Sequence, residues 1–370
     1  VFAGFYRGKR VLITGVAGVK GTWLAQQLLE LSSEVVGIDI REPEADSNFV
    51  ASDLSQRITF YHGDVTDLSL LQRASQGVDC VFHLAAISLV GEARRNPLET
   101  YRSNTLGTAT VLEAIRLSDS VQRAVFVTTD KVYRSKGGDV WVETDPLFAT
   151  EPYPVSKACA EQVVADYYRN YLRAGGKHIG VARAGNVILG GDPYSSQRMR
   201  GAGHLHVDCF EALIEGRSPE LYTPKFTRPY TYGLDTLSGY MTLMSQLDQE
   251  GIDGEAFNFG PHERFGVENG LVATKICQIW GSGIQWHSTK PREEPFEKQS
   301  LNWDKARQRL GWQPAYTIYE ALSDIAQWYR AWVARGCGAH PGAMVEVNRT
   351  LIQTHQQTAR HMGIAWAQES

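Results

Sequence analysis

Tyr153-Pro-Val-Ser-Lys157 sets a phenol and an ammonium four residues apart. On a helix that spacing puts both on one face, where the cation lowers the phenol pKa toward neutrality and a tyrosinate can take a proton from a hydroxyl. Alone the spacing recurs by chance, and an exposed pair on a solvated face has the same pattern. Its setting gives it weight. Upstream, Thr14-Gly-Val-Ala-Gly-Val-Lys-Gly21 carries Gly15, Gly18 and Gly21 at G-x-x-G-x-x-G spacing between a β-rich run and a helical one. Such glycines let the backbone approach a pyrophosphate, and the N–H groups of the following helix N-terminus favour the anion. Asp39 ends the second β-rich run, where a carboxylate accepts from the adenosine ribose hydroxyls and repels a 2′-phosphate. That predicts NAD rather than NADP, with Arg41 the one residue pointing the other way. Thr128-Thr-Asp-Lys131 ends another β-rich run just before the tyrosine, and strand C-termini are where ligands bind in open parallel sheets.

The elements that hold these residues alternate. Strand patterns at 9–14, 34–40, 58–63, 78–86, 123–129 and 178–189 are separated by helical patterns at 22–31, 68–75, 97–117 and 153–174. Strands joined by helix-length segments imply right-handed crossovers. The predicted fold class is α/β: a doubly wound parallel Rossmann sheet with a smaller, mixed C-terminal substrate-binding domain. The predicted divisions are 1–190 for the dinucleotide-binding domain, with 232–261 returning to it through a helix at 234–246 and a strand at 256–259. Residues 191–231 and 262–335 form the substrate-binding part, closed by a helix at 321–333, and 336–370 form an extension with a helix at 344–362.

Composition narrows the class of partner. The 370 residues carry 37 Lys plus Arg against 41 Asp plus Glu, a net charge of −4, which gives no electrostatic reason to expect nucleic acid or an anionic membrane. No apolar run reaches the roughly 20 residues a bilayer requires, and residues 1–10 lack a signal-peptide pattern. The five cysteines are scattered without C-x-x-C spacing, as expected of a reducing cytoplasm.

These residues resemble the extended short-chain dehydrogenase/reductase family over about residues 8–335, and within it the CDP-glucose 4,6-dehydratases. The likeness is carried by Lys9-Arg-Val-Leu-Ile-Thr-Gly15, Lys20-Gly-Thr-Trp23, Val81-Phe-His-Leu-Ala-Ala86, Thr128-Thr-Asp-Lys131, Arg183-Ala-Gly-Asn-Val187, Gly190-Gly-Asp192, Arg228-Pro229, Leu237-Ser-Gly-Tyr240, Asn258-Phe-Gly-Pro261 and Leu310-Gly-Trp312. The chain departs from that group's text at 87–94, 193–204 and 230–232.

The resemblance implies a nucleotide-diphosphate hexose as substrate and NAD as a recycled cofactor. It implies oxidation at C4, loss of water across C5 and C6, and return of hydride to C6. Tyr153, held by Lys157, would take the 4-hydroxyl proton, with Thr129 bonded to the same hydroxyl. Asp130 would protonate the departing 6-hydroxyl and Lys131 would take the C5 proton. Cofactor contacts are implied for Gly15, Gly18, Gly21, Asp39, Asp64, Val65, Leu84, Ala85, Ala86, Tyr153 and Lys157, and substrate contacts for Asn186, Arg198, Arg228 and Arg292. A homodimer through a four-helix bundle of 97–117 and 153–174 is implied as well, for which Val111, Leu112, Ile115, Val163 and Val164 offer apolar surface. A 4-epimerase or uronate decarboxylase would share Tyr153 and Lys157 but has no use for an acid and a base at C6 and C5. A catalytically retired dinucleotide sensor is the third reading. No metal is expected: His204 and His206 read as packing residues, as do Trp328 and Trp332.

Overall fold

Short apolar runs become the strands of one parallel sheet: β1 (Arg10–Thr14), β2 (Glu34–Asp39), β3 (Thr59–His62), β4 (Cys80–His83), β5 (Arg123–Val127), β6 (His178–Ala184) and β7 (Ala256–Phe259). The structure, a computed structural model, describes residues 1–134, 140–191, 204–263, 265–288, 300–336 and 340–368. Strand order is β7-β6-β5-β4-β1-β2-β3, every neighbour parallel. Sequences such as Arg-Ala-Val-Phe-Val in β5 lack polar alternation because both faces are covered. The chain order reverses between β1 and β4, and that switch point opens a crevice at the strands' C-terminal ends.

On one face Leu12, Val36, Val81 and Phe126 pack against Val111, Leu112 and Ile115 of helix α2 (Gly107–Leu117) and Val164 of helix α3 (Pro152–Tyr167). On the other, Ile13, Phe82 and Val125 meet Trp23 and Leu24 of α1 (Val19–Glu30) and Leu237 and Met241 of α4 (Gly233–Gln246). That second cluster runs on without a break into α5 (Ile318–Ala334) and α6 (Val345–His361). Four of the five residues expected to offer apolar surface to a second subunit are thus spent inside their own protomer: Val111, Leu112, Ile115 and Val164 are buried against the sheet. Helices flanking a sheet must fill its groove first, and that demand consumed them. The apolar side chains these helices do leave exposed are Leu98, Tyr101, Leu106, Leu117 and Tyr171.

Three expected elements are interrupted, and in the first of them, 153–174, the helix passes into a π-helical turn at Tyr168–Leu172. The stretch 97–117 is a short helix (Pro97–Tyr101), a π-helical turn (Arg102–Leu106) and α2. The wide turn presents Asn104, which accepts from Ile87 N–H (2.8 Å) and donates to Ile87 O (3.0 Å) and Ser156 Oγ (2.9 Å). The strand expected over 178–189 leaves the sheet after Ala184, and Val187–Ile188 pairs instead with Thr231–Tyr232.

Helix α6 ties distant parts together. Asn348 is fully buried, donating to Asn48 Oδ1 (3.0 Å) and Ser52 Oγ (2.8 Å) and accepting from the Trp328 indole (2.8 Å). His355 meets Asp235 of α4 at 2.8 Å, and Trp328 and Trp332 stack on each other.

One ion pair fastens α3 to the sheet. Arg183 of β6 bonds both carboxylate oxygens of Glu161 through Nε (3.0 and 3.1 Å), and both side chains are almost fully buried. Glu161 also accepts from Thr128 at the end of β5 (2.6 Å), Arg183 donates to the Tyr133 hydroxyl (2.8 Å), and Tyr133 donates to Asn258 of β7 (2.6 Å). Arg183→Met would strand a buried carboxylate and should cost about 3–5 kcal/mol in urea unfolding. Glu161→Met added to it should restore much of the loss. An Arg183→Met cost below roughly 1 kcal/mol would show that solvent reaches the pair, as at exposed bridges.

Candidate active site

Where β1 and β4 part, a cleft of about 780 Å³ is lined by Gly15, Gly18, Lys20, Gly21, Asp39, Arg41, Asp64, Val65, Leu84, Ala85, Ala86, Tyr153 and Lys157, among others. All eleven residues expected at a cofactor are on that wall. The glycines are required by close approach: at Gly15, where φ is +74°, a Cβ would meet Ala85 N at 2.8 Å, and at Gly21 it would meet Gly15 O at 2.2 Å. The chain therefore folds back on itself before α1 begins, and the helix N-terminus faces the cleft with Gly18 as its cap residue.

Asp39 is buried at the end of β2, its carboxylate accepting from Ala17 N–H (3.0 Å) and Arg41 N–H (3.0 Å). The Arg41 guanidinium lies 3.7 Å from the same carboxylate, so Asp39 offsets the charge that would favour a 2′-phosphate. Asp64 is held by Thr66 N–H (2.8 Å) and Arg102 (2.8 Å). Burial pushes its carboxyl up, but those bonds outweigh it and leave it below the ordinary range. A dinucleotide fits this lining: backbone donors and a helix N-terminus where phosphates go, carboxylates where riboses go, and no room for side chains between.

At the cleft's inner end Tyr153 (8% exposed), Lys157 (4%), Thr129 (5%) and Asp130 (1%) converge. Thr129 caps the short 3₁₀ turn Asp130–Val132, accepting from Lys131 N–H (3.3 Å) and donating to Asp130 Oδ1 (3.1 Å). The Thr129 hydroxyl lies close enough to the Tyr153 phenol to act on its pKa. Burial raises the Asp130 carboxyl above its usual range against the pull of Lys131, Thr129 and Arg228, and its Oδ2 is buried with no partner. A carboxyl whose burial favours the protonated form and that keeps one oxygen uncommitted is suited to give a proton away.

The expectation that Lys157 lowers the Tyr153 pKa is corrected by the structure. Burial drives the phenol up to about 12, with Thr129 easing it down and Asp130 adding to the rise. Lys157 itself is brought down to about 7, by burial first and then by Lys20, against the pull of Glu161. A cation that is itself close to losing its proton gives little help to the phenol. His83, beside Lys157, is held neutral by burial, at about 3, and serves as a strut between Thr14 (2.7 Å) and Thr108 (3.1 Å).

Lys20 is the residue that sequence reasoning quoted without giving it a task. It reaches the same inner end, lies over the Tyr240 ring at 5.7 Å, and burial brings it down to about 8. A signal was present: a cation in the first turn of a helix opposes the helix dipole, so Lys20 is misplaced unless something other than helix stability keeps it there. Of the expected substrate contacts, Arg228 lies near enough to Asp130 to act on its charge. Asn186 accepts from Thr231 N–H through its backbone (3.0 Å). Neither lines the cleft, and Arg198 and Arg292 fall outside the described residues. His206 is buried against Leu189 O (3.3 Å), and among the described residues no three His, Cys, Asp or Glu side chains could hold a metal ion.

Residues 12–179 match the model of the GDP-mannose 4,6-dehydratase family. The chain is 31% identical to the CDP-glucose 4,6-dehydratase of Salmonella typhimurium over 344 residues, covering 89% of this chain and 92% of that one. It is 28% identical to a UDP-glucose 4-epimerase from Halalkalibacterium halodurans, covering 86% and 95%. The structure superposes on a dTDP-glucose 4,6-dehydratase from Streptomyces venezuelae solved with NAD bound, with a TM-score of 0.71 and 27% identity over 87% of this chain and 97% of that one. With a glycine-lined cleft, a Tyr–Lys pair and an adjoining Thr-Asp-Lys turn already in place, the chain belongs to the nucleotide-sugar 4,6-dehydratases of the extended short-chain dehydrogenase/reductase family.

Proposed function

We propose that the protein converts a nucleotide-diphosphate hexose, CDP-glucose-like, to the 4-keto-6-deoxy sugar by dehydration, with NAD as recycled cofactor. The observation that carries this is Asp130: a buried carboxyl with a raised pKa and an uncommitted oxygen, placed beside the residue that would deprotonate C4–OH. A 4-epimerase has no use for such an acid. NAD, when bound, accepts the C4 hydride and supplies it again at C6.

The chain's own residues do the rest. Gly15, Gly18 and Gly21 with the α1 N-terminus would hold the pyrophosphate, Asp39 the adenosine ribose, Asp64 and Val65 the adenine side, Leu84 to Ala86 the floor, and Lys157 the nicotinamide ribose. Tyr153 takes the proton from O4, and Thr129 orients that hydroxyl. The resulting ketone acidifies C5–H, which Lys131 removes while Asp130 protonates O6. Asn186, Arg198, Arg228 and Arg292 would anchor the nucleotide diphosphate, in a substrate lobe made by 191–231 and 262–335. Support for a dimer comes from the apolar side chains left on the outer helices, Leu98 at 81% and Leu106 at 53% exposed. A reducing, cytoplasmic setting accords with four described cysteines that are all unpaired. No helix among the described residues is long and apolar enough to cross a membrane.

Incubation with CDP-, dTDP-, UDP- and GDP-hexoses should yield a 4-keto-6-deoxy product from at least one, with solvent deuterium entering C5; inversion at C4 with O6 retained would put the epimerase in its place. Tyr153→Phe should cut turnover about 10²–10⁴-fold while cofactor released on denaturation stays NAD; release of NADP would refute the Asp39 assignment. Lys131→Met should stall with reduced cofactor and a 4-keto sugar that still bears its 6-hydroxyl, and normal 6-deoxy product would remove Lys131 from the role of base. Sedimentation at micromolar concentration should give a dimer that Leu106→Asp splits, whereas a monomeric wild type would end the four-helix proposal.

A further inference from the structure

Dehydration returns every enzyme group to its starting state only if proton traffic closes. On the dehydratase reading, Tyr153 gains a proton from O4 and Asp130 loses one to O6, so each turnover leaves the tyrosine one proton rich and the aspartate one proton poor. The C5 proton does not correct this, since Lys131 takes one proton and C5 receives one back. The surplus and the deficit lie on neighbouring side chains, joined by a single hydroxyl. Thr129 donates to Asp130 Oδ1 at 3.1 Å, and its hydroxyl lies close enough to the Tyr153 phenol to ease that group's pKa down. All three are buried.

We propose that Thr129 is a proton relay, carrying the proton that Tyr153 takes from O4 to Asp130, which spends it on O6. This rests on the dehydratase reading and adds a second task for Thr129 to that of orienting the substrate. The steps balance. The O4–H bond breaks as Tyr153 Oη–H forms; Oη–H breaks as the Thr129 oxygen takes that proton and passes its own to Asp130 Oδ1. Asp130 protonates O6 as the C6–O bond breaks with its electron pair, and water leaves. One proton is lost from the 4-hydroxyl and one departs in the water, the proton that Thr129 gives up being replaced by the one from O4, and none is drawn from solvent. The carboxyl has the freedom this demands: Oδ1 receives from Thr129, while Oδ2 is unpartnered. Gly185 keeps that side open, because a Cβ there would stand 2.9 Å from Oδ2.

The relay makes the form with both Tyr153 and Asp130 ionised competent, because oxidation itself loads the acid. Without the hydroxyl that form oxidises C4 and stalls. Groups facing Asp130 are Lys131 on its own turn, Arg228 of the 227–228 strand, Lys20 of α1, Tyr153 of α3 and Tyr240 of α4. All are unchanged in a Thr129 variant, so a change in the shape of the pH profile belongs to the missing hydroxyl. Loss of the cap on Lys131 N–H lowers the rate at every pH alike.

The test is kcat against pH for the NAD-loaded enzyme with its nucleotide sugar, following product and cofactor absorbance together. The wild type should keep rising through the alkaline range as Tyr153, held at about 12, ionises, and Thr129→Ser should keep that shape. Thr129→Val should instead stop rising once Asp130 ionises, falling about tenfold further behind the wild type for each pH unit, with reduced cofactor accumulating on that level limb. Parallel profiles for valine and wild type, with dehydration intact, would overturn the relay alone. Wild-type enzyme that inverts C4 and keeps O6 would overturn the dehydratase reading and the relay with it. Should the valine variant not fold, the wild type still decides: a rate that keeps rising through the alkaline range upholds the relay, and a plateau whose onset Asp130→Glu displaces overturns it.

Discussion

The site depends on one buried ion pair. Glu161 and Arg183 grip α3, β5, β6 and, through Tyr133 and Asn258, β7 at once. α3 carries Tyr153 and Lys157, while β5 runs directly into Thr128 and Thr129. If the helix slid by one turn it would move some 5 Å along its axis, and the tyrosine would part from the threonine. A pair of this kind contributes little net stability over an apolar filling, but it tolerates only one register. Geometry, more than energy, is what it secures.

Around that fixed frame the cleft gathers ionisable groups whose burial opposes their ordinary charge. Lys20 and Lys157 are both shifted toward neutrality, Asp130 toward its protonated form, and Tyr153 away from phenolate. Desolvation is the leading cause in all four. Each of these four groups is therefore held closer to its uncharged form than water would leave it, and a charged ligand beside them changes the balance for all of them at once. That is why the simple picture of a lysine ammonium acidifying its tyrosine did not survive: the picture assumed water-like solvation for a pair that has almost none.

Much of this was readable in the residues. The parallel sheet followed from apolar runs separated by helix-length segments, and β7 at 256–259 and the last helix near 345–361 fall where their patterns placed them. The cofactor wall was legible because glycine spacing and a strand-end carboxylate are local signals. What was not legible depended on packing between distant segments. The π-helical turn within 97–117 is not readable there, since the groups that Asn104 meets from it, Ile87 and Ser156, lie outside the stretch. Nothing within 178–189 says that the chain quits the sheet after Ala184 to pair with Thr231–Tyr232. Val111, Leu112 and Ile115 looked like surplus apolar surface because a sequence does not reveal how deep the groove is that they fill.

The Asn348 contacts carry a consequence for how the chain is made. The residues they brace, Asn48 and Ser52, follow directly on the stretch containing Arg41 and Glu44, which lines the cleft beyond Asp39. Partner and brace are 300 residues apart in Asn48–Asn348, so at roughly 5–20 residues per second a ribosome leaves that corner unsupported for about 15–60 s. Local strands and helices form long before then. The adenosine end of the cleft is consequently braced late in synthesis, and a chain stalled short of α6 would carry its glycine turn without the support behind it.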